Sequence, residues 1–498
     1  MFEKITPEEA GISSLAVAKF IKVLNRRGMQ MHSVLMMKGD KLFAEYYWAP
    51  FNKDFCHRMY SQTKSYTAIA VGLLEEDGKI SLDDPIIKYF PEKIYNTIPA
   101  HLSNQTIREM LTMTTVSECG RWFDFPEYAD RTAFYFNYNR HEGERASGTT
   151  WEYDSAGSQV LASLVDKLSG KPLFDYLNER IFKHLGTFKN ATMLKTRNGD
   201  SWGDSALICT PRDMISFARF VMNFGTWNGK RLMNEAYLRA ATSRQVDNTE
   251  YEESIWRYGY GYQIWRTDMN GFAFYGMGSQ FTVCLPDQDI IFVCTADTQG
   301  NMAAPHCVIS SFFDIVMDSY SETSLPEDKK AYATLEETTS NLKLISVQGA
   351  EDSPLRREIE GTAYKCNKNK CGITEFSFTF SEDGKHGVLH YVNDQGKKEL
   401  PFGINYNEFC KFPQLGYSND FGGLRTNDGF MYNAAVSGAW VQENKIRLNV
   451  QIIDRYFGNA NWLFSFKGDD ATFTMIKRAE DFMDEYEGIV VAKKQNNQ

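Results

Sequence analysis

Two short apolar, β-prone runs open the chain, Ser33 to Met37 and Leu42 to Trp48. Gly39-Asp40 between them supplies turn chemistry, so the pattern predicts a β-hairpin. From Ser61 onward the period changes. Tyr66, Ile69, Ala70, Leu73 and Leu74 recur at three- and four-residue spacing, and Gly78 follows as a stop signal, which predicts a helix over 61–76. Helical patterns continue near 105–113, 156–168, 172–184 and 211–224. A second hairpin is predicted from the apolar runs 281–285 and 290–296, which flank Pro286-Asp287-Gln288-Asp289, and an apolar helix over about 305–318 comes next. Strands at both ends of this region, with helices between them, predict an α+β domain with an antiparallel sheet.

The texture changes near residue 321. Ser321-Glu322-Thr323-Ser324-Leu325-Pro326-Glu327-Asp328-Lys329-Lys330 opens a charged stretch that reads as linker or surface helix. Beyond about 355, short strands and turns take over. Phe376–Phe380 and Gly387–Val392 flank Glu382-Asp383-Gly384; Ile446–Ile453 and Trp462–Phe466 follow, and Gly468-Asp469-Asp470 turns into Thr472–Ile476. The expected organisation is a domain over 1–320, a linker over 321–354, and an antiparallel β domain over 355–498, either barrel or sandwich.

Composition narrows the function classes. The net charge of −10 makes nucleic acid an unfavoured partner. No apolar run approaches the roughly 18 residues that a membrane span needs. The nine cysteines are scattered and odd in number, and Cys366 and Cys371 have no His or Cys pair following at zinc spacing. None of the eight histidines falls in a metal spacing either. Reduced thiols and the lack of a basic, then apolar, N-terminal segment predict a cytoplasmic protein. No metal or organic cofactor is expected, and the expected partner is a small ester, amide or short peptide.

The chemistry concentrates in Ser61-Gln62-Thr63-Lys64. Residues three apart share one helix face, so the Lys64 amine can reach the Ser61 hydroxyl. A serine hydroxyl is a weak nucleophile and needs an adjacent base. Free N–H groups at a helix start can stabilise negative charge on a substrate oxygen. Ser-x-x-Lys is a common pattern, expected by chance about twice in a chain of this size. A second copy, Ser340/Lys343, lies in the charged stretch with no apolar helix behind it.

The wider context distinguishes the first copy. Arg58-Met59-Tyr60-Ser61-Gln62-Thr63-Lys64-Ser65-Tyr66-Thr67 runs through Val71-Gly72-Leu73-Leu74 to Asp83-Asp84-Pro85 and Phe90-Pro91. This run resembles the nucleophile helix of β-lactamase-related serine hydrolases: class C β-lactamases, penicillin-binding DD-peptidases, β-lactamase-fold esterases and 6-aminohexanoate-oligomer hydrolases. Ile107-Arg108-Glu109-Met110-Leu111-Thr112-Met113-Thr114-Thr115 and Thr210-Pro211-Arg212-Asp213-Met214 resemble further landmarks of that group, although Val116 stands where a glycine is usual. The resemblance covers about residues 5–320 and implies a β-lactamase/transpeptidase-like fold there.

The resemblance also implies roles. Trp151-Glu152-Tyr153-Asp154-Ser155 takes the place of the group's second motif, so Tyr153 is expected to relay protons beside Lys64, with Ser155 where asparagine is usual. Asp154 or Ser155 could equally cap the helix that follows. Tyr275-Gly276-Met277-Gly278-Ser279-Gln280 takes the place of the third motif but carries no cation. Gly276, Met277 and Gly278 are expected to border the substrate, with the Ser61 and Met277 N–H groups forming the oxyanion hole. Without a cation to grip a β-lactam carboxylate, the expectation favours an esterase or amidase. β-Lactamase or D-amino-acid peptidase activity is the alternative, and a catalytically silent binding or sensor protein is another. Aromatics crowd 119–153 (Trp122, Phe123, Phe125, Tyr128, Phe134, Tyr135, Phe136, Tyr138, Trp151) and form either a lid or ordinary packing. A rival nucleophile, Ser201 in Gly199-Asp200-Ser201-Trp202-Gly203, matches the nucleophile elbow but has loop-like flanks where a strand and a helix are required.

Overall fold

The computed structural model describes residues 2–116, 129–137, 145–251, 254–416, 418, 420–422, 431–455, 457–478 and 483–495. The chain divides into two compact units. The first holds residues 1–298, 303–343 and 419–422; the second holds 299–302, 344–418 and 423–498.

The first unit is built on a seven-stranded sheet. Its order is Glu3–Lys4, Lys41–Tyr47, Met31–Lys38, Ile290–Ala296, Gln280–Leu285, Phe272–Gly276 and Trp265–Arg266. All pairs are antiparallel except the first. The two predicted hairpins meet at the centre, where Val34 faces Cys294 and Lys38 faces Ile290. Both central strands are buried on both faces, which explains their continuous apolar runs.

One group of helices packs on the sheet through Phe20 and Phe312, whose rings lie 5.8 and 4.5 Å from that of Phe292. Across the sheet, Tyr66 of the Thr63–Glu76 helix stacks on Phe217 of the Pro211–Met222 helix at 4.0 Å, and both approach Phe274. Every residue from Thr63 to Leu74 is buried. A helix enclosed on all sides must find partners for its polar side chains. Thr63 Oγ1 accepts from the Leu207 amide at 3.1 Å, Ser65 Oγ donates to the Gln263 carbonyl at 2.7 Å, and Thr67 Oγ1 donates to the Gly203 carbonyl at 2.6 Å.

Several expected helices are shorter or broken. The 172–184 pattern resolves into Leu173–Leu177, a π turn over Asn178–Phe182 and Lys183–Leu185. The 305–318 pattern becomes Ala304–Ser311, then a π turn over Phe312–Val316. Part of the 321–354 stretch is a packed helix, Lys329–Thr339, capped by Asp328 and burying Ala331 and Leu335 against the Ser14–Arg26 helix.

The second unit is a closed barrel, antiparallel except at one seam. Nine strands run in the order Gly396–Ile404, His386–Asn393, Glu375–Phe380, Tyr364–Cys366, Gly488–Lys494, Asp470–Arg478, Phe457–Lys467, Lys445–Ile453 and Met431–Gln442. Closure comes from Gly403 and Ile404 pairing parallel to Ser437 and Gly438. Glu408–Leu415 adds a strand outside the ring. The interior is filled by Phe376, Phe378, Phe402, Phe464, Phe466 and Phe473. A Cβ at Gly387 would sit 2.3 Å from the Phe402 ring, so glycine is what admits that ring. Among the described residues, no helix is long and apolar enough to cross a membrane, and the eight described cysteines are all free thiols.

Candidate active site

Ser61 lies in a single 3₁₀ turn, Tyr60–Gln62, which leads directly into the Thr63–Glu76 helix. The chain enters from the short strand His57–Arg58, paired with Ile208 and Cys209. Tyr60 adopts φ +48°, a left-handed conformation that bulky residues rarely take. Such strain persists only where the surroundings over-determine it. Here Tyr60 is buried, and Gln62 next to Ser61 is tied to the sheet through a 2.8 Å bond from Thr282 Oγ1.

Lys64 is 2% exposed. Its Nζ donates to Ser61 Oγ at 3.1 Å and to the Asp204 carbonyl at 2.8 Å. A carboxylate oxygen of Asp204, itself fully buried, lies 3.8 Å away. The Tyr153 ring centroid is 5.2 Å from the same nitrogen. Tyr153 is half-buried and stacks on Trp265 at 5.7 Å with the rings 15° from parallel. The structure therefore brings Ser61, Lys64 and Tyr153 together.

Asp154, rather than Ser155, is the cap of the following helix: its carboxylate accepts from the Gly157 amide at 2.9 Å and from Thr115 Oγ1 at 2.9 Å. Ser155 is the first residue of that helix. These bonds explain how Tyr153, at the end of an extended segment, is fixed beside the lysine.

Gly276 ends the Phe272–Gly276 strand against the Ser61 turn. A Cβ there would lie 2.0 Å from the Met59 carbonyl oxygen and 3.2 Å from the Gln62 amide nitrogen. Only glycine allows this approach. Met277 next to it is among the exposed apolar residues, and Gly278 (φ +76°) and Ser279 (φ +67°) turn the chain back into the Gln280–Leu285 strand.

The rival Ser201 occupies a different setting. It is buried, its amide donates to Asp166 at 2.7 Å, and its Oγ accepts from the Leu173 amide at 3.0 Å. Neither a strand before it nor a helix straight after it is present. Ser340 caps the end of the Lys329–Thr339 helix. Trp122, Phe123, Phe125, Tyr128 and Tyr138 lie outside the described residues, whereas Phe134, Tyr135 and Phe136 pack within the Arg131–Asn137 helix and Trp151 joins an aromatic cluster with Tyr251, Tyr260 and Trp265. Among the described residues, no group of three or more His, Cys, Asp or Glu side chains could hold a metal ion.

Sequence reading missed Asp204 and a buried histidine pair. His32 Nδ1 lies 3.0 Å from His57 Nε2, and the His57 Nδ1–H faces the Phe55 carbonyl at 3.3 Å. The carbonyl can only accept, so in the neutral rings His32 donates to His57. Burial lowers the pKa of both rings, that of His57 to about 3. No local spacing links positions 32 and 57, or 64 and 204, so neither pair was visible.

A seven-stranded sheet flanked by helices, with a serine and a lysine brought together where one helix begins, is the arrangement of the β-lactamase-fold serine hydrolases. Residues 17–306 match the Beta-lactamase family model, and the chain belongs to that family. The 6-aminohexanoate-dimer hydrolase of Paenarthrobacter ureafaciens is 25% identical over 288 residues, which is 53% of this chain and 71% of that protein. An uncharacterised protein of Alkalihalophilus pseudofirmus is 24% identical over 247 residues, 44% of this chain and 67% of that protein. Among solved structures, a Bacillus anthracis protein assigned as a 6-aminohexanoate-dimer hydrolase superposes with a TM-score of 0.52 at 19% identity, covering 66% of this chain and 89% of its own.

Proposed function

We propose that the protein hydrolyses an ester or amide through an acyl-enzyme on Ser61. The observation that carries this reading is the 3.1 Å contact of Lys64 Nζ with Ser61 Oγ, made by a lysine withdrawn from solvent. Lys64 in its neutral form takes the Ser61 proton as Oγ attacks the carbonyl carbon. Tyr153, against the lysine, passes a proton to the leaving group and later helps draw one from the incoming water. The Ser61 and Met277 amides hold the oxyanion, with Gly276 letting the strand end approach the Ser61 turn. Ser155 and Gly278 border the substrate. The Paenarthrobacter relative's name makes short linear amides the first substrates to test.

Intact-mass labelling with a fluorophosphonate probe tests this reading. Wild type should gain one adduct, Ser201→Ala should gain the same adduct, and Ser61→Ala should gain none. An adduct that survives in Ser61→Ala would overturn the assignment.

A further inference from the structure

Arg58 is 1% exposed, yet it carries a permanent charge. Burying a guanidinium costs several kcal/mol unless hydrogen bonds and stacking offset it. Here they do. Nε donates to the Ser205 carbonyl at 3.0 Å and Nη2 to Ser205 Oγ at 2.9 Å. The guanidinium carbon lies 4.5 Å from the Tyr60 ring centre and 4.5 Å from that of Trp202. Arg131 approaches the Trp202 ring at 4.7 Å.

These contacts fall on two short segments that the proposed chemistry depends on. Tyr60 precedes the nucleophile and holds the strained φ of +48°. The 202–205 loop supplies the Asp204 carbonyl to Lys64 at 2.8 Å and the Gly203 carbonyl to Thr67 at 2.6 Å. One side chain thus touches the turn that carries the nucleophile and the loop that holds the base. An apolar side chain could fill the space, but it could not stack on Tyr60 and bond Ser205 at once.

We infer that Arg58 is a positioning residue for Ser61 acylation: it sets the register between the Ser61 turn and the loop that anchors Lys64. This rests on the acyl-enzyme reading above. Lysine in its place would keep the charge but lose the paired donors and the flat stacking face.

The test compares wild type, Arg58→Lys and Ser205→Ala. Each is measured for melting temperature, fluorophosphonate labelling rate per folded molecule, and kcat and KM on p-nitrophenyl butyrate. Arg58→Lys should remain folded, with labelling and kcat down about 10- to 100-fold and KM changed by less than about twofold. In Arg58→Ala, millimolar guanidinium should restore part of the rate. A folded Arg58→Lys with the wild-type rate overturns the inference, as does a loss of activity that only follows the melting temperature. If Arg58→Lys does not fold, Ser205→Ala decides: a labelling loss of about threefold or more supports the role, and an unchanged rate overturns it. Absence of labelling in wild type would instead bring down the acyl-enzyme reading, and this inference with it.

Discussion

Lys64 Nζ and a carboxylate oxygen of Asp204 lie 3.8 Å apart, with both side chains withdrawn from solvent. An amine and a carboxyl group buried side by side are coupled whichever of them holds the proton, and removing one strands the polar group of the other. A double-mutant cycle with Lys64→Met and Asp204→Asn should therefore show coupling. Each single variant is expected to lose roughly 3 kcal/mol, and the double variant less than their sum by at least about 1 kcal/mol. Urea unfolding of the four proteins measures it. Strict additivity would mean that the two groups do not sense each other.

Gly276→Ala should slow labelling of Ser61 on the order of 100-fold. The added Cβ meets backbone at Met59, which cannot swing aside as a side chain would. The strand end and the nucleophile turn must separate, and a shift of about 1 Å is enough to cost on the order of 100-fold in rate. Labelling rates of the variant check this; a near-normal rate would remove Gly276 from the oxyanion wall.

The histidine pair should make the first unit sensitive to acid. Burial lowers both rings from the ordinary value of 6.5, so the unfolded chain binds protons there that the folded one refuses. Stability is fully present above about pH 6.5 and falls as pH drops toward 3, by a few kcal/mol at pH 4. His57→Gln should flatten this slope in melting curves taken from pH 7 to 4. An equal slope in the variant would place the acid sensitivity elsewhere.

Asp166 should act in the opposite sense. Burial raises its carboxyl to about 6 although the Ser201 and Leu173 amides both donate to it. The folded state holds its proton more tightly than the unfolded chain, so this group favours lower pH. Its contribution is present below about pH 4 and is lost as pH rises through 6. Asp166→Asn should remove that loss, of the order of 2 kcal/mol, and the variant's gain relative to wild type should be greater at pH 8 than at pH 4.5. A pH-independent difference would show that the bonds lost matter and the charge does not.

The elements that carry local signals were legible. The 61–76 helix announced itself by its apolar spacing, the two hairpins by turn residues between β-prone runs, and Ser61 with Lys64 by a spacing that one helix face imposes. Tyr153 and the Gly276 strand end were reached through resemblance, since nothing local ties them to residue 61. The π turns at 178–182 and 312–316 were invisible because Leu173, Leu177, Ile181 and Leu185, and Val308, Phe312 and Val316, keep ordinary helical spacing through them. The Lys329–Thr339 helix fits the surface-helix reading of the charged stretch, but its packing was not legible because only Ala331 and Leu335 are fully buried. Barrel closure through Gly403 and Ser437 is a parallel pairing between strands that do not follow one another, and a one-dimensional pattern does not encode it. Asp204 escaped because nothing local ties it to Lys64, 140 residues earlier in the chain.

The sheet of the first unit joins Met31–Lys38 to Ile290–Ala296 at its centre, so an early strand and the last one are neighbours. During synthesis the Ser61 turn leaves the ribosome long before Gly276 and the strand it needs. A nascent chain cut short ahead of Phe272 would carry the serine and the lysine without the Gly276 strand end that packs against the Ser61 turn. Folding of the unit must therefore wait for contacts that are distant along the chain.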